Sequence, residues 1–176
     1  IFESGWVCVG RSDTLAESGD YLAIRLQEQS LLVVKSDNGD LGAFYNVCRH
    51  RGTRLVSSEC GPLKNACVTC PYHAWTYNAD GELIGAPNMK DVDSFDPRQF
   101  GLKPVACFDW CGFLMVNPDD AEASFELDFA EIIERMKPWN LGQLELKKTL
   151  AYEVKANWKL VFQNYSECYH CPTVHP

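Results

Sequence analysis

All four histidines of this chain stand at metal-ligand spacing from a cysteine or from one another. His50 closes Cys48-Arg49-His50, and His73 closes Cys70-Pro71-Tyr72-His73. His170 and His175 lie five apart in Tyr169-His170-Cys171-Pro172-Thr173-Val174-His175. Imidazole is the commonest protein metal ligand near neutral pH, and thiolates suit zinc and iron–sulfur units. The first two pairs are separated by 19 residues. Two thiolates can hold one iron of a [2Fe–2S] unit and two imidazoles the other. That exchange raises the potential above that of an all-cysteine cluster. Two cysteines and two histidines also suit tetrahedral zinc, and spacing alone leaves both readings open. Cys67-x-x-Cys70 and Cys168-x-x-Cys171 could together make a four-cysteine zinc site, which would leave every histidine without a role.

The second histidine pair carries different chemistry. Two imidazoles and one carboxylate, with open coordination positions, form the facial triad of non-haem Fe(II) oxygenases. Glu167 precedes His170 by three residues and shares a neighbouring helix face with it. Taken alone, Glu167 reads as a solvated helix residue and the histidines as capping or core residues.

These ligands need elements that bring distant stretches together. The first two-thirds of the chain read as β-rich, with short aliphatic and aromatic runs at 5–9, 21–26, 31–35 and 42–47. Further strands are expected at 67–69, 75–77, 105–108 and 113–116. Turn signals separate them: 17–20, the Asn38-Gly39 pair, and 78–81. Each cysteine–histidine pair borders an expected strand and opens a loop, so the first site is predicted between two loop tips at the end of a sheet. Residues 125–136 predict an amphipathic helix stopped before Pro138. Residues 144–154 alternate and predict a strand. Asn157 is a candidate cap for a helix from Trp158 to about Tyr169, ended by Pro172. On it Trp158, Phe162, Tyr165 and Tyr169 form one apolar stripe. The expected organisation is a β-rich domain at 1–120, a connecting helix and linker at 121–143, and the start of a second domain at 144–176.

The net charge of −8 argues against a nucleic-acid footprint, which needs a basic face. No apolar run approaches the roughly 18 residues a membrane helix requires, and no signal peptide opens the chain. The first residue is Ile rather than Met, so the natural N-terminus is expected to lie further upstream. Nine cysteines beside histidines, in a chain of 176 residues with enough apolar content for a core, fit metal binding in a reducing cytoplasm. They fit a disulfide framework less well. Cys8, Cys60, Cys67, Cys107 and Cys111 read as small buried apolar residues.

Cys48-Arg-His-Arg-Gly52 with Cys70-Pro-Tyr-His-Ala-Trp75 resembles the Rieske motif of bacterial ring-hydroxylating oxygenases. Respiratory Rieske proteins carry two further cysteines where this chain has Thr53 and Tyr72. Residues 157–176 resemble the start of the catalytic domain of Rieske non-haem iron oxygenases, alpha subunit. The resemblance implies a mainly β Rieske [2Fe-2S] domain, then the beginning of an α+β helix-grip catalytic domain. It implies Cys48, His50, Cys70 and His73 as cluster ligands, with Trp75 packed beside the cluster. His170 and His175 are implied as ligands of a mononuclear Fe(II). Glu167 is implied as the acid that connects His170 to His73 of a neighbouring subunit in a homotrimer. In that family the third iron ligand is an Asp far downstream, a position that residues 1–176 do not include.

The implied function is the oxygenase component that hydroxylates, dihydroxylates or demethylates a small organic substrate with O2. Electrons come from an NAD(P)H-dependent reductase, sometimes through a ferredoxin. Glu167 within Glu-Cys-Tyr-His-Cys is similar to enzymes of quaternary amines more than of aromatic rings. The alternatives are a Rieske-type ferredoxin, which gives no account of 157–176, and a zinc-stabilised structural domain.

Overall fold

The computed structural model describes residues 5–167, 169 and 171–174. The chain divides into two compact units, Ile1–Glu145 and Leu146–Pro176. The first is built from ten strands: β1 (Val7–Arg11), β2 (Asp20–Leu26), β3 (Gln29–Lys35), β4 (Leu41–Tyr45), β5 (Cys60–Pro62), β6 (Cys67–Thr69), β7 (Thr76–Asn78), β8 (Leu83–Gly85), β9 (Pro104–Trp110) and β10 (Phe113–Asn117). Seven form one sheet in the order β1-β10-β9-β4-β3-β2-β5, and β6-β7-β8 form a second. Every pairing is antiparallel.

The run Leu31-Leu32-Val33-Val34 shows why the large sheet holds. Successive side chains of a strand point to opposite faces. Leu31 and Val33 join a core with Leu15, Ala43, Val105, Leu114 and Val116. Leu32 and Val34 face the other core, which includes Phe44, Tyr77 and both candidate ligands Cys48 and Cys70. A strand buried on both faces reads as continuous apolar sequence rather than alternation. Each of the four is at most 2% exposed, worth roughly 2 kcal/mol of burial apiece.

The turns explain several displaced boundaries. β2 and β3 are joined through Gln27-Glu28, with Gln27 at φ 52°. β9 and β10 are joined through Cys111-Gly112, both at positive φ, the conformation of a type I′ hairpin turn. Neither pair is a strong sequence signal, so the flanking strands run longer than expected. The expected Asn38-Gly39 turn lies in the β3–β4 connection, with Gly39 at φ 90°.

Four expectations are corrected. The helix expected over 125–136 is two short helices, α1 (Phe125–Asp128) and α2 (Ala130–Met136). Phe129 between them leaves helical geometry and stacks on the buried Phe125. The strand expected over 144–154 has no ladder. An alternating sequence makes a strand only when a neighbour supplies hydrogen bonds, and none of the described strands pairs with it. The last helices are α3 (Trp158–Ser166), capped as expected by the Asn157 side chain on the Lys159 N–H, and α4 (Cys171–Val174). Pro172 therefore does not end the first helix but sits in the first turn of the next, where a missing N–H costs nothing. The stripe residues Trp158, Phe162 and Tyr165 are exposed, and Tyr169 lies beyond α3.

The fourth correction concerns cysteines. Cys8, Cys60 and Cys111 are exposed, and Cys67 and Cys107 are half-buried. Cys8 and Cys60 lie on the two edge strands and Cys111 on the turn between β9 and β10, positions without strands on both sides. The eight described cysteines are all free. No helix among the described residues is long and apolar enough to cross a membrane.

Candidate metal centre

Two loops carry the first four predicted ligands, and they share one backbone frame. In the first, the Cys48 N–H donates to Thr53 O at 2.8 Å, and Cys48 O accepts from the Gly52 N–H at 3.0 Å. In the second, the Cys70 N–H donates to Trp75 O at 2.8 Å, and Cys70 O accepts from the Ala74 N–H at 3.0 Å. Gly52 (φ 72°) and Ala74 (φ 57°) hold the same left-handed position. Glycine occupies it freely, whereas alanine does so at a cost of roughly 1–2 kcal/mol.

The arms of the loops differ. The second loop joins β6 to β7, whose residues Cys67, Val68 and Thr69 pair with Asn78, Tyr77 and Thr76. Thr69 and Thr76 add a hydroxyl–hydroxyl bond of 3.1 Å. The first loop follows β4, and the backbone of its arms pairs at the isolated bridge Val47–Arg54 rather than in a ladder.

The loops bring Cys48, His50, Cys70 and His73 together. Both cysteines are buried, 2% and 3% exposed, while both histidines are exposed. The imidazole centroids lie 4.8 Å apart with ring planes at 64°. Trp75 stacks on His50 at 4.8 Å and 10°, and Tyr72 covers His73 at 3.8 Å. Phe95 and Phe100 hold Trp75 from behind, edge on, at 5.7 and 5.6 Å. Slight desolvation, then His73 and Arg51, hold His50 below the usual imidazole value, which favours the neutral form that binds metal.

The donor set is thus an inner thiol pair and an outer imidazole pair. Among the described residues no three His, Cys, Asp or Glu side chains converge on one ion's position. Two thiols and two imidazoles are the donor set of a Rieske cluster, which takes its protein ligands two per iron.

Tyr77 was not singled out from the sequence. Its hydroxyl lies 3.4 Å from Cys48 Sγ and accepts the Arg49 N–H at 3.0 Å. Either group can donate across the contact with Cys48, and toward a thiolate only the Tyr77 hydroxyl has a proton to give. Burial, and then the contact with Cys48, push its pKa well above the ordinary phenol value, keeping it a donor. Two-residue periodicity from Trp75 could have placed it on the same face. Asn46, also missed, sits 1% exposed beneath the first loop.

Of the second predicted site, Glu167 ends α3 as its C-cap, and its carboxylate accepts the Tyr169 N–H. His170 and His175 lie outside the described residues.

Residues 5–96 match the Rieske [2Fe-2S] domain family. Residues 141–176 match the ring hydroxylating alpha subunit (catalytic domain) family. The chain belongs to the Rieske-type oxygenase alpha subunits. This alpha-subunit chain is 38% identical over its whole length to a carnitine monooxygenase oxygenase subunit of Acinetobacter baumannii, covering 47% of that protein. It is 39% identical to a glycine betaine monooxygenase oxygenase subunit of Chromohalobacter salexigens, again over its whole length and covering 39% of the relative. Among solved structures, a quaternary ammonium Rieske monooxygenase in complex with L-carnitine superposes with TM-score 0.86 at 36% identity, all of this chain on 50% of that one. Naphthalene 1,2-dioxygenase with bound indole superposes with TM-score 0.78 at 28% identity, 99% of this chain on 40% of that one. The alpha-subunit chain spans about half the length of the curated relatives it matches. The fold class read from the sequence, a Rieske domain followed by the start of a catalytic domain, is therefore borne out.

Proposed function

We propose that this chain forms the electron-accepting part, and the beginning of the oxygen-activating part, of a Rieske monooxygenase for a quaternary ammonium substrate. The matched loops carry the reading: an inner Cys48/Cys70 pair and an outer His50/His73 pair on one frame. A [2Fe–2S] cluster held there supplies one-electron chemistry at a potential raised by its two imidazole ligands. Cys48 and Cys70 keep the inner side dry. Tyr77 donates toward the Cys48 sulfur, and Trp75 fixes the plane of His50. The exposed imidazoles face outward, where a protein surface can receive the electron.

In this reading Glu167 is the acid that receives His73 of a neighbouring copy within a homotrimer, and His170 and His175 ligate a mononuclear Fe(II). An NAD(P)H-dependent reductase in the cytoplasm, with or without a ferredoxin, supplies the electrons. The substrate class is supported by the higher identity to carnitine and glycine betaine monooxygenases than to naphthalene dioxygenase. A Rieske-type ferredoxin accounts for 5–96 but not for the catalytic-domain match at 141–176.

The decisive experiment is EPR of the dithionite-reduced protein, with iron and sulfide measured on the same sample. A rhombic Rieske signal with equal iron and sulfide, lost in Cys48→Ser and Cys70→Ser, is expected. Stoichiometric zinc without sulfide would replace this reading by a structural metal domain. Reductase-coupled O2 uptake with carnitine, glycine betaine, choline and naphthalene then tests the substrate: stimulation by naphthalene alone would reverse the class.

A further inference from the structure

The first cluster loop lacks the ladder that holds the second. Beneath it the Asn46 carboxamide occupies the place of a partner strand. Its Oδ1 accepts the N–H groups of Leu55 at 3.2 Å and Val56 at 3.0 Å. Its Nδ2 donates to Val56 O at 2.8 Å and to Ser30 Oγ at 3.1 Å. The Asn46 N–H donates to Ser30 O on β3 at 2.9 Å. One buried side chain thus satisfies three backbone groups of the returning arm and ties them to the large sheet. A partner strand would have supplied the same donors and acceptors.

We infer that Asn46 is the positioning residue of the cluster: it substitutes for the missing β-ladder and sets Cys48 and His50 in register with Cys70 and His73. Two features make its action specific. It lies two residues before Cys48, so any shift passes directly into the ligand. It acts on one loop only, so its loss moves two of the four ligands relative to the other two. Apolar replacement takes the side-chain partner from two N–H groups and a carbonyl of the 55–56 arm, where Leu55 is buried and Val56 half-buried. The arm then relaxes, and Cys48 and His50 move with it. Positioning groups around metal ligands carry affinity in this way.

The inference rests on the ligand assignment proposed above, and the test separates the two. Holoproteins of Asn46→Ala, Asn46→Asp, Ser30→Ala, Val116→Ala and Cys48→Ser are compared with the native protein. The readouts are the half-time of iron release to a chelator, the EPR line shape after reduction, and thermal stability. Asn46→Ala is expected to release iron about 10–100-fold faster and to change the line shape. Asn46→Asp keeps an acceptor for the Leu55 and Val56 N–H groups and should recover much of the native half-time. Val116→Ala weakens the other core and should lower stability while leaving release and spectrum native.

If Asn46→Ala does not fold, Ser30→Ala carries the test, because it loosens the carboxamide without removing it; it should release iron faster than Val116→Ala. Native release and spectrum in Asn46→Ala, or in Ser30→Ala where that variant stands in, overturn the inference. So does release that merely follows lost stability as in Val116→Ala. Full iron in Cys48→Ser overturns the ligand assignment instead.

Discussion

At the scale of single residues, the site separates into groups that ligate and groups that tune. The Tyr77 hydroxyl lies 3.4 Å from Cys48 Sγ, and donation from it to a cluster thiolate stabilises the more negative, reduced cluster most. Tyr77→Phe should retain the cluster and lower its midpoint potential by on the order of 1 kcal/mol, about 40 mV for one electron. An EPR-monitored redox titration reads the shift, and an unchanged potential removes Tyr77 from this role. Ala74 tells a second story, since it holds left-handed geometry where its counterpart is Gly52. Ala74→Gly should raise stability by about 0.5–1 kcal/mol, the left-handed cost less the glycine entropy, while a β-branched Val lowers it. Urea denaturation of the two variants decides. The proposed ligands stood out in the sequence because cysteine and histidine at short spacing have few other uses. Asn46 was not, because a lone Asn between Tyr45 and Val47 carries no periodic signal; its meaning lies in a neighbouring arm ten residues on.

At the scale of elements, turns decide what the sequence discloses. The Cys111-Gly112 turn is closed by Asp109 Oδ1 accepting the Gly112 N–H at 2.7 Å. It is also pressed against Arg11, which lies over the Phe113 ring and donates to Cys111 O at 3.4 Å and Leu144 O at 2.6 Å. A Cβ on Gly112 would stand 2.3 Å from Arg11 Nη2, whereas one on Gly39, at the same φ, meets nothing within 4 Å. Gly112→Ala should therefore cost more than the roughly 1–2 kcal/mol expected of Gly39→Ala. Denaturant midpoints compare them, and equal losses would mean that Arg11 yields without cost. Strands with long apolar runs or alternation were legible. β5 and β8 were not: three residues each, containing Gly, they exist only because a neighbour pairs with them. The converse holds at 144–154, where the alternation is present and none of the described strands pairs with it.

At the scale of the whole molecule, thiol chemistry maps the architecture. Exposed Cys8, Cys60 and Cys111 should alkylate first. Burial, with Asp109 nearby, pushes the Cys107 thiol up to about 12, so it stays protonated and slow at pH 8. Cys48 and Cys70 are buried, and as the proposed cluster ligands they should react only after iron is stripped. Peptide mass spectrometry over time orders them. Early labelling of Cys48 in iron-loaded protein would contradict the inner-sulfur geometry.

The two loops share main-chain bonds, between Cys48 and Thr53 in one and between Cys70 and Trp75 in the other. The residues between each cysteine and its histidine are exposed: Arg49 in one loop, Pro71 and Tyr72 in the other. Because those main-chain bonds do not use their side chains, selection can rewrite the outward face while the loop backbone keeps its geometry. Recognition and redox function are in this sense separately evolvable, carried by different atoms of the same dozen residues.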